Sequence, residues 1–275
     1  MNKAIAKLGA VLRALPVLLV VLFIATPVVF VVITALNEHG IFISRTGFSF
    51  SLKWFTSIPE QFVSAFVTSL IIACGAAIVA IPPGVIAGLA LARGSFPGKE
   101  ALSHILLSPL MIPLIVLGVS YYRAYLILWD VTGLSMLETY AGLILAHAGF
   151  TWAYVIRTVM AGLTNFSPNV EDAAIDLGAS RTYTLLHVTL PIVRPAVIAG
   201  AIFAFLMSFD DVPVALFIYG PGTTPLAVEL FNYIGQDINP YISAVSALVV
   251  LFSIVVMFLV DRLVGIRRFV GLPDR

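Results

Sequence analysis

What most constrains this chain is its recurring apolar runs of about 20 residues or more, each long enough to cross a bilayer as an α-helix. Six are expected as spans, at about 15–36, 62–91, 102–128, 140–163, 195–219 and 242–265. Apolar residues make up 60% of the chain and charged residues 11%. A soluble domain of this length needs roughly twice that charged fraction to cover its surface. The sequence therefore predicts an all-α polytopic membrane protein with six transmembrane helices. A single transmembrane domain is expected over residues 1–275, with no room for a second globular one. Near the N-terminus a cleaved signal peptide competes with a retained helix. The run from Leu15 to Leu36 outlasts a signal h-region of 7–15 residues, so a retained helix is expected. Cys74 is the lone cysteine, which excludes an intrachain disulfide. A net charge of +1 gives no reason to expect a nucleic-acid partner.

Prolines mark where the spans bend. Pro82-Pro83-Gly84 should kink or divide the second span, and Pro109 and Pro113 should bend the third. Six spans place both termini and the segment 164–194 on one side. That side carries twelve cations: Lys3, Lys7, Arg13, Arg93, Lys99, Arg157, Arg181, Arg194, Arg262, Arg267, Arg268 and Arg275. Opposite are Arg45, Lys53 and Arg123. The positive-inside rule makes the first side cytoplasmic.

Within 164–194, the stretch EDAAIDLGASRTYTLLHVTLP is the longest polar interruption between apolar segments. It reads as a short helix from Val170 to Leu177, a turn at Gly178, a second short helix from Ser180 to Val188 and a stop at Pro191. Gly178 permits the left-handed backbone that ends a helix, and Ser180 can cap the next one. A pair of short helices between two spans offers a grip to something outside the membrane. The plainer alternative is a solvated loop.

The spacing Asp172-Ala173-Ala174, Gly178, Val188, Leu190-Pro191 resembles the EAA loop of binding-protein-dependent ABC importer permeases. Asp172 stands for the family's glutamate, with Glu171 just before it, and Val188 for its isoleucine. The resemblance runs from the first span to Ile266. It is strongest to the spermidine/putrescine-type permease subunits, which have stretches like Ser208-Phe209-Asp210-Asp211 and Gly220-Pro221-Gly222. It implies a type I (MetI-like) importer fold in a bacterial inner (cytoplasmic) membrane. It also implies three kinds of partner besides the lipid bilayer: ABC ATPase subunits, a second related permease and an extracytoplasmic substrate-binding protein. Carried over, Glu171, Asp172, Ala173, Ala174, Gly178, Leu190 and Pro191 would form the element that docks on the ATPase.

Phe209-Asp210-Asp211 puts two carboxylates inside the expected fifth span, where an acid is costly and therefore a functional candidate. A negative pair would suit a cationic substrate such as a polyamine or a related small amine. Adjacent residues point about 100° apart, so at most one acid is expected to face a path. The other would cap a helix break before Pro213 or pair with a partner's cation. Ser208, Phe209 and Trp54 are further path candidates, Trp54 by its likeness to a tryptophan near the family's outer mouth; an interfacial belt residue is its alternative. Polyamine permeases of this type tend to carry an acid after the second proline of the third span, where this chain has Leu114. That departure leaves room for a monoamine, an opine or a zwitterionic aminophosphonate. Glu229 and Asp237 are candidates for meeting the binding protein.

No Walker loop, zinc-ligand spacing or nucleophile elbow is present, and His39, His104, His147 and His187 are scattered. No catalytic residue, metal or cofactor is therefore expected, and ATP hydrolysis would belong to a separate subunit. The rival reading is a secondary transporter or channel with Asp210 or Asp211 as a cation relay. A scaffold without a substrate path is a third.

Overall fold

The computed structural model describes residues 2–40, 47–164, 166–234 and 240–264. Arg45, Asp237, Arg267, Arg268 and Arg275, used in the sequence reading, lie outside the described residues. The described helices are α1 (Asn2–Ala35), α2 (Lys53–Thr56), α3 (Glu60–Arg93), α4 (Lys99–Leu107), α5 (Leu114–Thr132), α6 (Tyr140–Thr164), α7 (Asn169–Asp176), α8 (Arg181–Thr184), α9 (Leu190–Phe209), α10 (Leu226–Ile234) and α11 (Pro240–Val264). Six helical segments are long and apolar enough to cross a membrane: Ala14–Ala35 of α1, α3, α5, α6, Arg181–Phe209 and Pro240–Leu259 of α11. Much of their surface is apolar and open, as on α1, where Phe23 is 82% exposed. Lipid is the solvent such a surface fits.

The prolines act differently at each position. Pro82 and Pro83 lie inside α3, which continues through them. The expected third span, by contrast, is broken. Helix α4 ends at Leu107, a 3₁₀ turn covers Ser108–Leu110, and α5 starts after Pro113. Pro113 is extended, with ψ 131°, and proline also pushes the residue before it out of the helical region. Gly133, at φ 73°, closes α5 with a bond from its N–H to the carbonyl of Trp129 at 2.8 Å. The expected fifth span is shorter than its apolar run, because α9 stops at Phe209. Arg123, Arg157 and Arg194 lie within α5, α6 and α9, so none belongs to a loop. The cation count thus loses two members on the side with twelve and one on the side with three, and keeps its bias.

The chain divides into two compact units, one of residues 1–62 and 233–256, the other of 63–232 and 257–275. In the first, buried Asn37 organises the stretch after α1. Its amide donates to the carbonyl of Gly40 at 2.8 Å, and its side-chain oxygen accepts from the Ser49 N–H at 2.9 Å. Its own carbonyl accepts from the Trp54 indole at 2.9 Å. Phe62, Tyr233 and Tyr241 form an aromatic cluster with ring centroids 5.4–5.8 Å apart.

The second unit is built around α6, whose buried residues include Leu143, Ala146, His147, Phe150, Val155 and Val159. Small residues let its neighbours approach, as is usual between membrane helices. On α3, a Cβ added at Gly84 would lie 2.7 Å from Val155, and one at Gly88 would lie 2.8 Å from Val159. On α9, Gly200 lies against Thr158 and the Val155 backbone. Gly84→Val should therefore overpack the α3–α6 contact and cost about 1–3 kcal/mol. Thermal unfolding in detergent checks this, with Cys74→Ser, at an exposed site, as the near-neutral reference.

Candidate functional site

Two places in the second unit carry the sequence's polar candidates. The first is the loop between α6 and α9. Helix α7 ends as expected at Gly178, where φ is +92° and the N–H donates to the Ile175 carbonyl at 2.8 Å. Ser180 caps α8 by accepting from the Tyr183 N–H at 3.2 Å. Pro191 is not the expected stop. After α8 the chain makes a π turn over Leu185–Thr189 and runs directly into α9, with Pro191 in its first turn. Pro191 thus sits inside a continuous helical run from Arg181 to Phe209, directly after the π turn, the kind of local widening where a helix passes a proline.

The two adjacent acids of α7 have different partners. Glu171 Oε2 takes the Nε–H of Arg93, at the end of α3, at 3.0 Å. Its Oε1 accepts from the hydroxyl of buried Thr189, in the π turn, at 2.8 Å. Arg93 also donates to the Phe166 carbonyl at 2.9 Å. Glu171 is thus a clamp joining α7, α3 and the root of α9. Asp172 and Ala173 are exposed and Leu177 is 90% exposed, while Ala174 and Leu190 are half-buried. Beside the clamp is a hollow of about 190 Å³ lined by Leu89, Arg93, Glu171, Ile175, Arg181 and Leu185. Sequence reasoning did not find Arg93 or Thr189 as Glu171's partners, because they are 78 and 18 residues away from it.

The second place is the end of α9. Asp210 is the residue just past the helix and is exposed; its N–H still donates to the Leu206 carbonyl at 3.1 Å. Asp211 is 3% exposed and faces inward. Its Oδ2 accepts from the N–H groups of Val214 at 3.1 Å and Ala215 at 2.8 Å, capping the 3₁₀ turn Ala215–Phe217. The acids therefore sit where the helix breaks, and not along a continuous fifth span. Buried His147 of α6 stands against this break. Its Nδ1 is 2.8 Å from the hydroxyl of Ser208, and its Nε2 is 3.6 Å from Asp211 Oδ2. His147 Nε2 and Asp211 Oδ1 have no hydrogen-bond partner. Ser208 and Phe209 are buried, and Phe209 stacks with Phe205 and meets Phe66 edge to face. Of the four residues 208–211, Asp210 alone presents its side chain outward.

His147 was visible in sequence only as a lone histidine within an apolar run. Trp54 belongs to the first unit, where its indole is tied to Asn37. Glu229, on α10, is half-exposed, and burial raises its carboxyl above the usual glutamate value. Among the described residues, no group of three or more His, Cys, Asp or Glu side chains is placed to hold a metal.

A double-mutant cycle on Arg93→Met and Glu171→Gln should give a coupling of about 1 kcal/mol, because the pair is only partly buried and solvent screens it. Thermal unfolding of the four proteins in detergent measures it; additive losses would mean the clamp is not energetic.

Residues 80–266 match the model of a family described as the binding-protein-dependent transport system inner membrane component. The chain is 31% identical over 230 residues to a putrescine transport system permease of Escherichia coli K12, covering 82% of this chain and 81% of that one. It is 31% identical over 239 residues to a spermidine/putrescine transport system permease of Haemophilus influenzae, covering 86% and 90%. A putative 2-aminoethylphosphonate transport system permease of Salmonella choleraesuis is 26% identical over 253 residues, covering 92% of each. In fold, the chain resembles a bacterial ABC transporter that imports alginate, at a TM-score of 0.71 and 13% identity, over 93% and 96% of the two chains. It also resembles the MetNI methionine ABC transporter, at a TM-score of 0.61 and 18% identity, over 76% and 98%.

Proposed function

The chain belongs to the binding-protein-dependent transport system inner membrane components, and from that membership we infer how its two polar sites divide the work of import. It is a multi-pass inner-membrane permease subunit of an ABC importer, a transport component and not an enzyme. Our reading is of one permease domain over 1–275, with both termini and the α7–α8 loop in the cytoplasm. A second related permease, ATPase subunits and an extracytoplasmic binding protein would complete the assembly. Asp172, Ala173, Ala174 and Gly178 would dock on the ATPase, with Leu190 and Pro191 starting the helix that the loop moves. Glu171 would hold the loop to α3 and α9, so that a pull on α7 moves both spans.

For the substrate, polyamines are the first reading. It is supported by the names of the relatives at 31% identity and by the exposed Asp210 at the end of α9. In this reading Asp210 meets a substrate ammonium, while Ser208, Phe209 and Asp211 hold the break that presents it. A second reading, a zwitterionic amine, is favoured by Leu114 in place of the acid and by the aminophosphonate permease among the relatives. The observation that carries the permease reading is the α7–Gly178–α8 loop, with an outward acid and small residues on its exposed face.

Two measurements test this. Asp172→Lys, with Ala173→Trp, should leave the chain folded and strip the ATPase from the purified complex; full retention of the ATPase would put docking elsewhere. In proteoliposomes holding the whole importer, Asp210→Asn should lower ATP-driven putrescine uptake at least about tenfold. Uptake that proceeds without ATP would instead favour a secondary transporter.

A further inference from the structure

One imidazole bridges the break at the end of α9. Nδ1 of His147 is 2.8 Å from the hydroxyl of Ser208, in the last turn of the helix. Its Nε2 is 3.6 Å from Oδ2 of Asp211, beyond the helix end. The two ring nitrogens are thus aimed at the two residues that bracket Phe209-Asp210. All three side chains are buried, His147 completely. Asp211 Oδ2 accepts from the N–H groups of Val214 and Ala215. A carboxylate only accepts, so a neutral imidazole facing it carries its hydrogen on Nε2, and Nδ1 accepts the Ser208 O–H.

No backbone group depends on this ring. Asp211 satisfies the N–H groups of the next turn, and the Asp210 N–H closes α9 on the Leu206 carbonyl at 3.1 Å. A buried polar ring within a membrane span is costly, and an apolar side chain of similar size would fill the same space. What His147 adds is direction. Ser208 and Asp211 are three residues apart, about 300° around a helix, so one partner can hold both. Asp210 remains close to helical, at φ −97° and ψ 7°. Its side chain therefore points about 100° away from that of Asp211 and cannot turn to α6 while the other two do. A slip of the helix end by one residue would bring Asp210 to His147 and turn Asp211 outward.

We propose that His147 is a positioning residue for import. It locks the end of α9 in the rotation that leaves Asp210 facing out, and so sets how tightly the importer holds its substrate. This rests on the reading that Asp210 meets a substrate ammonium. A carboxylate already fixed in direction loses little conformational freedom on binding, whereas a wandering one must be ordered by the substrate. The ring acts through Asp210 and touches no substrate itself. Its loss should therefore weaken binding without slowing the saturated importer.

The test has two arms, both on the intact importer. In a Cys74→Ser background, the thiol of Asp210→Cys is labelled with the membrane-impermeant cation trimethylammonioethyl methanethiosulfonate. Adding His147→Phe should change the labelling rate at least about fivefold, and His147→Gln, which keeps a donor near Asp211, should leave it near the parent's. Equal rates with all three residues at 147 overturn the proposal. In the uptake arm, putrescine and 2-aminoethylphosphonate are run in parallel. For whichever is imported with ATP, His147→Phe should raise KM about tenfold and change the maximal rate less than about twofold, with His147→Gln restoring most of the affinity. In an Asp210→Asn background the same His147→Phe change should raise KM no further. A lower maximal rate at unchanged KM would make His147 a packing residue and overturn the proposal, as would KM effects that multiply. An Asp210→Asn importer with the parent's KM removes the substrate role of Asp210 itself. A raised KM in Asp210→Asn with none in His147→Phe overturns the role of His147 alone.

Discussion

A backbone polar group at membrane depth has no water to turn to, so any interruption of a helix there must be satisfied by the protein itself. The end of α9 is such an interruption. Phe209 closes the helix, and the chain then turns through Asp211–Phe217. The N–H groups of Val214 and Ala215 would be orphaned without the Asp211 carboxylate. A charge placed there needs polar company, which His147 and Ser208 supply from two different helices. The break, its cap and the histidine behind it form one device. What that device leaves outside is Asp210.

The other irregular region, the α7–α8 loop, follows different rules because water can reach it. Its exposed carbonyls need no buried partner, and most of its side chains are free to meet another protein. What it does need is a rigid connection to the spans. Glu171 supplies that through Arg93 and Thr189, reaching α3 and the turn before α9. The π turn over Leu185–Thr189 leads straight into α9, so the loop and the span form one continuous rod from Arg181 to Phe209. The contacts from α7 to α3 and to the root of α9 are thus one ion pair and one hydrogen bond.

Much of this was legible in the chain itself. Six apolar runs became six candidate spans, because length and hydropathy suffice to identify a helix that lipid will accept. Gly178 and Ser180 were legible because turn and cap chemistry is local. The misreadings concern prolines and partners. Pro113 divides an apolar run that it was expected only to bend, and Pro191 lies inside a continuous helical run where a stop was expected. A proline's effect depends on whether the N–H it lacks was needed, and that is set by its position within a turn and not by its identity. His147 and Arg93 stayed hidden for another reason: their partners lie 61 and 78 residues away in sequence.

The two acid pairs, Glu171-Asp172 and Asp210-Asp211, have the same logic in opposite order. Neighbouring residues on or just past a helix differ by about 100°, so one member of a pair can turn toward the protein while the other cannot follow it. In the loop the first acid turns in, to Arg93 and Thr189, and the second faces out. At the break the second turns in, to the backbone of the next turn, and the first faces out. An acid that turns in fixes the local geometry, and its neighbour inherits a defined direction at no further cost in partners. Sequence alone reads each pair as a doubled charge. In the fold each is a single outward carboxylate with its support built in beside it.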